Sequence, residues 1–337
     1  MTNQKHIDLD SDFLNWIEFV LKSPFVILDE ISDASSRVYI RIEASNTRYM
    51  AVLSRLPAEK NKIFIDIAML YKRQGLLAPD VLFDNFSKGY MLLTDLGSHH
   101  LCDLDSDVIL HFYQKAILNL ESIRKITKVN SINLQFYNKN FLLNELSLAK
   151  QWFYIGLLKI NLNSSDNDVI ERFSNELALS ISRHKLSGVH RDYHSRNLIV
   201  CDDVVGVLDF QDSVIGSVFY DVASLLMDVY VKLDLSIYSR LIEFAYQRAI
   251  DTNLFGSSGF SLELFTREVE VAALQRHLKI LGLFCKHKHE GKGQYMQHIP
   301  LTLHYVKSTI DKYNMDSAFI DFFDHKVIPA WKEVSNN

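Results

Sequence analysis

Cysteine is scarce: Cys102, Cys201 and Cys285 are the only three in 337 residues, and they lie far apart. An odd number so spread does not make a disulfide framework and points to a reducing compartment. Basic residues do not gather either. Lys and Arg total 36 against 41 acidic residues, a net charge of −5, and they are scattered rather than banked in runs. That excludes the usual electrostatic footprint of a nucleic-acid or anionic-membrane binder. No uninterrupted apolar run approaches the roughly 18 residues of a membrane span, and the opening "MTNQKHIDLDSDFLNWIEF" lacks the apolar core of a signal peptide. Internal repeats and low-complexity linkers are missing too. These absences predict a cytoplasmic protein with no nucleic-acid or membrane partner. What remains is an ordinary globular composition, 48% hydrophobic and 23% charged, with length for about two domains.

The pattern changes along the chain. "SRVYIRIEA" (36–44) and "TRYMAVLS" (47–54) are rich in β-branched and aromatic residues, and the "SN" between them predicts a hairpin. In "KNKIFIDIAMLYKRQG" (60–75), Ile63, Ile67 and Leu70 recur at helical spacing and Gly75 suits a helix end. "DVLFD" (80–84) and "YMLLT" (90–94) read as two more strands. From Ser106 the spacing is helical over 107–126, 139–160 and 167–185, with Ser165 and Asp168 resembling a capping box. Helices dominate again over 220–288 and from about 297 onward. The pattern predicts an α+β protein: a mainly β lobe over 1–95, then a larger helical lobe over 96–337 that carries a hairpin-like insert at 186–218.

That insert holds "VHRDYHSRNLIV" (189–200), a cluster of polar groups between apolar flanks. Each such group left unpaired in a core costs on the order of 1–3 kcal/mol, so a function outside the core must need them. The segment fits His-x-Asp-x-x-x-x-Asn, and "LDF" with Asp209 follows seventeen residues after Asp192. Phosphoryl transfer from ATP needs few protein groups: a carboxylate for the attacking hydroxyl, and oxygen ligands for the Mg2+ bridging the phosphates. A loop leaving one strand can present Asp192 and then Asn197 to one cleft while the paired strand returns Asp209. Asp192 is therefore the expected base, and Asn197 and Asp209 the expected metal ligands. Asp, Asn and Asp in this order also belong to protein-kinase signatures.

His194, two residues after the Asp, departs from the protein kinases, and Asp-x-His-x-x-Asn resembles the catalytic loop of the aminoglycoside phosphotransferase and choline kinase superfamily. "SDASSRVYIRI" (32–42) is similar to an N-lobe signature of the bacterial cell-wall amino sugar kinases, which phosphorylate N-acetylmuramate and N-acetylglucosamine at the anomeric hydroxyl. "LLTDLG" (92–97) looks like their hinge, "GVLDFQDSVIGSVFYDVASLL" like their metal loop, and "LQRHLKILGLF" (274–284) like one of their helices. The five matches stand in order along most of the chain. The resemblance implies a protein-kinase-like two-lobed fold with ATP under the N-lobe sheet and its adenine on the backbone of 94–97. It implies nucleotide contacts from Ser35, Ser36, Arg37, Asp95 and Leu96, and a catalytic part for His194 beside Asp192. Asp212, Arg196 and Arg276 are the expected acceptor contacts. The product would be a sugar 1-phosphate in a cell-wall recycling route.

Two departures stand out. Ser32 replaces a usual glycine, and no lysine stands on "YMAVLS", which leaves Arg37, Arg41, Arg55 or Lys60 to supply its charge. Asp221, at a helix start, reads as a structural carboxylate. Asp212 is either near the substrate and metal or simply solvated. The Arg276–His277 pair reads as packing or as substrate contact. "CKHKHEGK" (285–292) lacks the paired couples of structural zinc sites and reads as a helix end. Rival readings keep the reaction with a choline-like alcohol or an aminoglycoside as acceptor, or make the chain a catalytically silent nucleotide-binding protein. The retained Asp192, Asn197 and Asp209 count against the last.

Overall fold

The computed structural model of the protein describes residues 10–31, 37–130, 132–256 and 259–335. Helix α1 (Ser11–Leu21) starts at Asp10, whose carboxylate accepts the Asp12 N–H, and buries Phe13 and Ile17. Strands β1 (Val26–Ile31), β2 (Arg37–Ala44) and β3 (Thr47–Ser54) follow, then helix α2 (Ala58–Arg73) and strands β4 (Val81–Asn85) and β5 (Tyr90–Thr94). The five strands form one antiparallel sheet in the order β1-β2-β3-β5-β4. Ser45 and Asn46, the expected hairpin turn, both take positive φ (50° and 61°), the geometry whose twist matches paired strands. Helix α1 covers one face through Ile40, Ile42, Ala51 and Leu92. Helix α2 covers the other, and Phe64 and Tyr71 carry the contact onward to stack on Phe210 of the second lobe.

The second lobe is helical: α3 (Ser106–Ile123), α4 (Lys139–Leu148) running into π-helical turns at Ala149–Leu157, α5 (Ser164–Ser182), α6 (Tyr220–Leu226), α7 (Leu235–Asp251), α8 (Leu262–His289), α9 (Ile299–Lys312), α10 (Ser317–Phe322) and α11 (Ile328–Ser335). Three two-stranded pairs interrupt it: β6 (Lys128–Val129) with β7 (Ile132–Asn133), β8 (Leu186–Val189) with β11 (Val214–Ser217), and β9 (Leu198–Cys201) with β10 (Val204–Val207). Among the described residues no helix is long and apolar enough to cross a membrane. The expected capping box is displaced by two residues: Asn163 and Asp166 exchange side-chain to backbone bonds of 2.9 Å, not Ser165 and Asp168. The run "NSSDND" offers overlapping pairs, and Lys326, 2.6 Å from Asp166, favours this one. "CKHKH" is the solvent-facing end of α8, with Cys285 buried.

Helix α8 is buried nearly all round, as a central helix must be. It crosses α4 at Gly282, where an added Cβ would stand 2.2 Å from the Leu148 carbonyl carbon. This close approach brings the polar residues of α8 against Glu145 of α4. Gly282→Ala should lower stability by about 1–3 kcal/mol, the usual cost of overpacking. Urea unfolding followed by circular dichroism checks it; an unchanged midpoint would mean the helices separate freely.

Candidate active site

Two pairs of strands aim two loops at one place. Residues 190–197 join β8 to β9, residues 208–213 join β10 to β11, and the loops run side by side. His190 Nε2 donates to the Leu208 carbonyl at 2.8 Å, and the Leu208 N–H donates to the Asn197 carbonyl at 2.8 Å. Arg191 and Asp209 both adopt positive φ (80° and 60°), a conformation that non-glycine residues hold only where their surroundings fix it. Asp221 supplies that fixing for the first loop. Its buried carboxylate takes the N–H groups of His190 (2.7 Å) and Arg191 (3.0 Å). The structural reading of Asp221 holds, although the amides it satisfies belong to the loop rather than to its own helix.

Asp192 presents a side chain about one-third exposed, with Arg276 Nη1 at 3.3 Å from Oδ1 and 3.1 Å from the Arg191 carbonyl. Burial alone would raise its pKa. Lys279, Arg276 and Arg191 outweigh burial and hold the carboxyl well below the usual range, so Asp192 is ionised at any working pH. Behind it lies a buried network. Glu145 accepts from Arg191 Nη2 at 2.6 Å and from Gln275 Nε2 at 3.2 Å, bonds to the Tyr137 hydroxyl, and stands 3.7 Å from Lys279 Nζ. Burial opposes the charged form of Glu145, but Lys279 and Arg191 still leave its pKa lowered. Such clustering makes buried charge tolerable. The pair at 276 and 277 divides: Arg276 faces the base, whereas His277 bonds to the Met227 carbonyl (2.8 Å) and stacks on Tyr305.

Asn197 and Asp209 converge from the two loops. Asn197 Nδ2 donates to the Asp192 carbonyl at 3.0 Å and lies 3.4 Å from Asp209 Oδ2, while Gln211 Nε2 donates to Asp209 Oδ1 at 2.6 Å. The Asp209 side chain opens to the cleft yet is crowded by protein. That desolvation, with Asp192 and Asp212 nearby, raises its pKa to about 6. Exposed Asp212 is thus brought beside Asp209. Arg37, buried over the Phe64 ring at 5.0 Å, counters the rise. Of the four candidate N-lobe cations, Arg37 reaches this site electrostatically. Arg41 is turned to the hinge, and Arg55 and Lys60 are exposed at the bend before and the start of α2.

At the hinge, Arg41 forks Asp95 (2.7 and 3.3 Å) and donates to the Gly97 carbonyl at 2.9 Å. The buried Asp95 carboxylate is therefore committed to the sheet, and the Leu96 carbonyl accepts from the Cys201 thiol at 3.0 Å. A cavity of about 400 Å³ lies here, lined by Leu77, Asp95, Leu96, Gly97 and Cys201 among others. A larger one, about 590 Å³ and lined by Phe219, Phe255 and Phe260 with His184, holds none of the expected site residues. Ser35 and Ser36, expected to touch the nucleotide, lie outside the described residues, as does Ser32.

The His194 ring meets Tyr230 edge-on at 4.9 Å, and burial followed by the Arg276 charge lowers its pKa to about 3, so it is neutral. Arg196 is exposed, its guanidinium 4.1 Å from the Tyr230 ring centroid. Between them, Ser195 donates its N–H and hydroxyl to buried Asp228. Glu145, Lys279 and Asp228 escaped the sequence reading, although signals exist. Glu145 sits in the apolar stripe of "FLLNELSL", Lys279 shares a helix face with Arg276 at i+3, and Asp228 is flanked by apolar residues in "LLMDVY".

A five-stranded lobe hinged to a helical one, with a carboxylate and an amide–carboxylate pair on adjacent loops, defines a kinase-like phosphotransferase. The chain belongs to the phosphotransferase enzyme family, whose model matches residues 29–251. It is 28% identical over 294 residues to an N-acetylmuramate/N-acetylglucosamine kinase of Pseudomonas aeruginosa, covering 85% of this chain and 84% of that protein. It is 26% identical over 307 residues to a Neisseria meningitidis protein of the same name, covering 89% and 90%. Among solved structures it resembles an ethanolamine kinase of Plasmodium vivax (TM-score 0.61, 13% identity, 90% of this chain and 91% of that one). A choline kinase of Streptococcus pneumoniae aligns similarly (TM-score 0.59, 15%, 88% and 100%).

Proposed function

We propose that the protein transfers the γ-phosphate of ATP to the anomeric hydroxyl of an N-acetylated amino sugar, N-acetylmuramate or N-acetylglucosamine. Residues 1–95 form the nucleotide lobe, with adenine against the backbone of 94–97 and the phosphates near Arg37. Residues 96–337 carry the catalytic and metal loops and the acceptor site. The three free thiols fit a cytoplasmic setting.

The observation that carries the phosphotransfer in this reading is the meeting of Asp192 with Asn197 and Asp209 on adjoining loops, with a buried charge network behind Asp192. Three buried or half-buried cations, Arg191, Arg276 and Lys279, face two carboxylates, Glu145 and Asp192, and Glu145 is already spent on its partners. The amino sugar acceptor is supported by the two relatives of that name, which match 85% and 89% of this chain. The anomeric hydroxyl is more acidic than an ordinary alcohol, so a single carboxylate suffices to take its proton as the new bond forms. Asp192 orients that hydroxyl and takes its proton as the new bond forms, while Arg276 and Lys279 keep the carboxylate ionised and in place. Neutral His194 packs the loop on Tyr230, and Asp212 and Arg276 line the acceptor side.

The donor set fits Mg2+: Asn197 Nδ2 is turned to the Asp192 carbonyl and to Asp209 Oδ2 (3.0 and 3.4 Å), which leaves the amide oxygen and the Asp209 carboxylate as hard oxygen donors, and Mg2+ takes one or two protein ligands besides phosphate and water. Mg2+ there would neutralise charge on the β- and γ-phosphates. The test is ATP consumption with N-acetylmuramate, N-acetylglucosamine, choline and kanamycin as separate acceptors. Turnover of at least one sugar, without choline or kanamycin, is expected. Turnover of choline or kanamycin alone would move the acceptor to another branch of the family. ATP binding with no consumption would mark a silent nucleotide-binding protein.

A further inference from the structure

Arg196 differs from the other cations near the base. Arg191 pairs with Glu145 and Arg276 with Asp192, whereas Arg196 makes no ion pair among the described residues and is exposed. It is nevertheless held in a built setting. Its guanidinium carbon lies over the Tyr230 ring, 4.1 Å from the centroid, and that ring is met edge-on by His194 at 4.9 Å and by His298 at 4.8 Å. One buried carboxylate, Asp228, anchors both sides of the stack: it takes the N–H and hydroxyl of Ser195, next to the arginine, and the N–H of Tyr230 at 3.0 Å. The arginine has one long contact, 3.5 Å from Nη2 to His298 Nε2. A guanidinium that rests on a ring and has no carboxylate partner keeps N–H groups for a carboxylate from outside, which its fork matches.

We infer that Arg196 binds an anionic substituent of the acceptor, the lactyl carboxylate that N-acetylmuramate has and N-acetylglucosamine lacks, and so sets the preference between them. The inference rests on the amino sugar reading above. Contacts lead from the base to this fork through His194 and Tyr230, which lie on the helical lobe. A sugar with its anomeric hydroxyl at Asp192 would direct its substituents along the helical lobe toward Arg196.

Steady-state kinetics of wild type, Arg196→Gln and Arg196→Lys with N-acetylmuramate, its methyl ester and N-acetylglucosamine provide the test. Wild type should prefer the free acid to its ester. Arg196→Gln should lose about tenfold or more in kcat/KM for the acid, mainly through KM, and bring acid and ester to parity, as loss of a charged hydrogen bond predicts. Arg196→Lys should restore part of the preference. Equal losses on all three sugars would make Arg196 structural, and a raised KM for ATP would assign it to the nucleotide; either overturns the inference. So would a wild type blind to the difference between acid and ester. A wild type inert toward all three sugars would overturn the amino sugar reading itself, and the inference with it.

Discussion

Asp192→Asn should lower turnover by roughly 10²–10⁴ while leaving ATP affinity within a few-fold. The change keeps the shape and the hydrogen bond to Arg276 in altered form but removes the proton acceptor. It also removes the negative charge that Arg276 and Lys279 share, and buried cations deprived of a partner destabilise their surroundings. Thermal unfolding and nucleotide titration must therefore accompany the kinetics. A folded variant that binds ATP yet turns over slowly supports the assignment. A folded variant with activity within a few-fold of wild type would remove Asp192 from the base's place.

Asp209→Ala should show an effect of similar size, about 10²–10³ in turnover, because it deletes one of the two oxygen donors on the adjoining loops. Affinity measurements separate its causes. Nucleotide binding with Mg2+ should weaken about tenfold or more, while binding without metal should hardly move, since the carboxylate is assigned to the cation rather than to the nucleotide. Equal losses with and without Mg2+ would point to the loop's geometry instead. Gln211 and Asn197 both lean on Asp209, so a circular dichroism spectrum of the variant decides whether the loop kept its fold.

The convergence of Asp192, Asn197 and Asp209 was legible in the sequence because it is local. Asp192 and Asn197 lie five residues apart between two strands, and the paired strand leads straight into Asp209. The Ser45–Asn46 hairpin and the helix positions are local as well. What escaped depends on contacts across the chain. Glu145 and Lys279 stand 134 residues apart and meet because α4 and α8 cross at Gly282. Arg41 stood equal with Arg37 as a candidate phosphate cation until its fork to Asp95, 54 residues away, committed it to the hinge. The cap of α5 slipped by two residues because "NSSDND" is locally ambiguous and a lysine 160 residues downstream arbitrates. The same distance effect sets the charge around the base, where buried Arg276 reaches Asp192 from 84 residues downstream.

The central claim, that Asp192 works on an anomeric hydroxyl, is tested most directly by phosphorus NMR of the reaction with N-acetylglucosamine or N-acetylmuramate, run beside the 1-O-methyl glycoside of the same sugar. Methylation removes the one hydroxyl assigned to Asp192 and leaves the ring, the acetamido group and the other hydroxyls for binding. The account predicts a new phosphorus signal coupled to the anomeric proton of the free sugar and no product from the glycoside. A phosphorylated glycoside, or a signal coupled to any other ring proton, would contradict it.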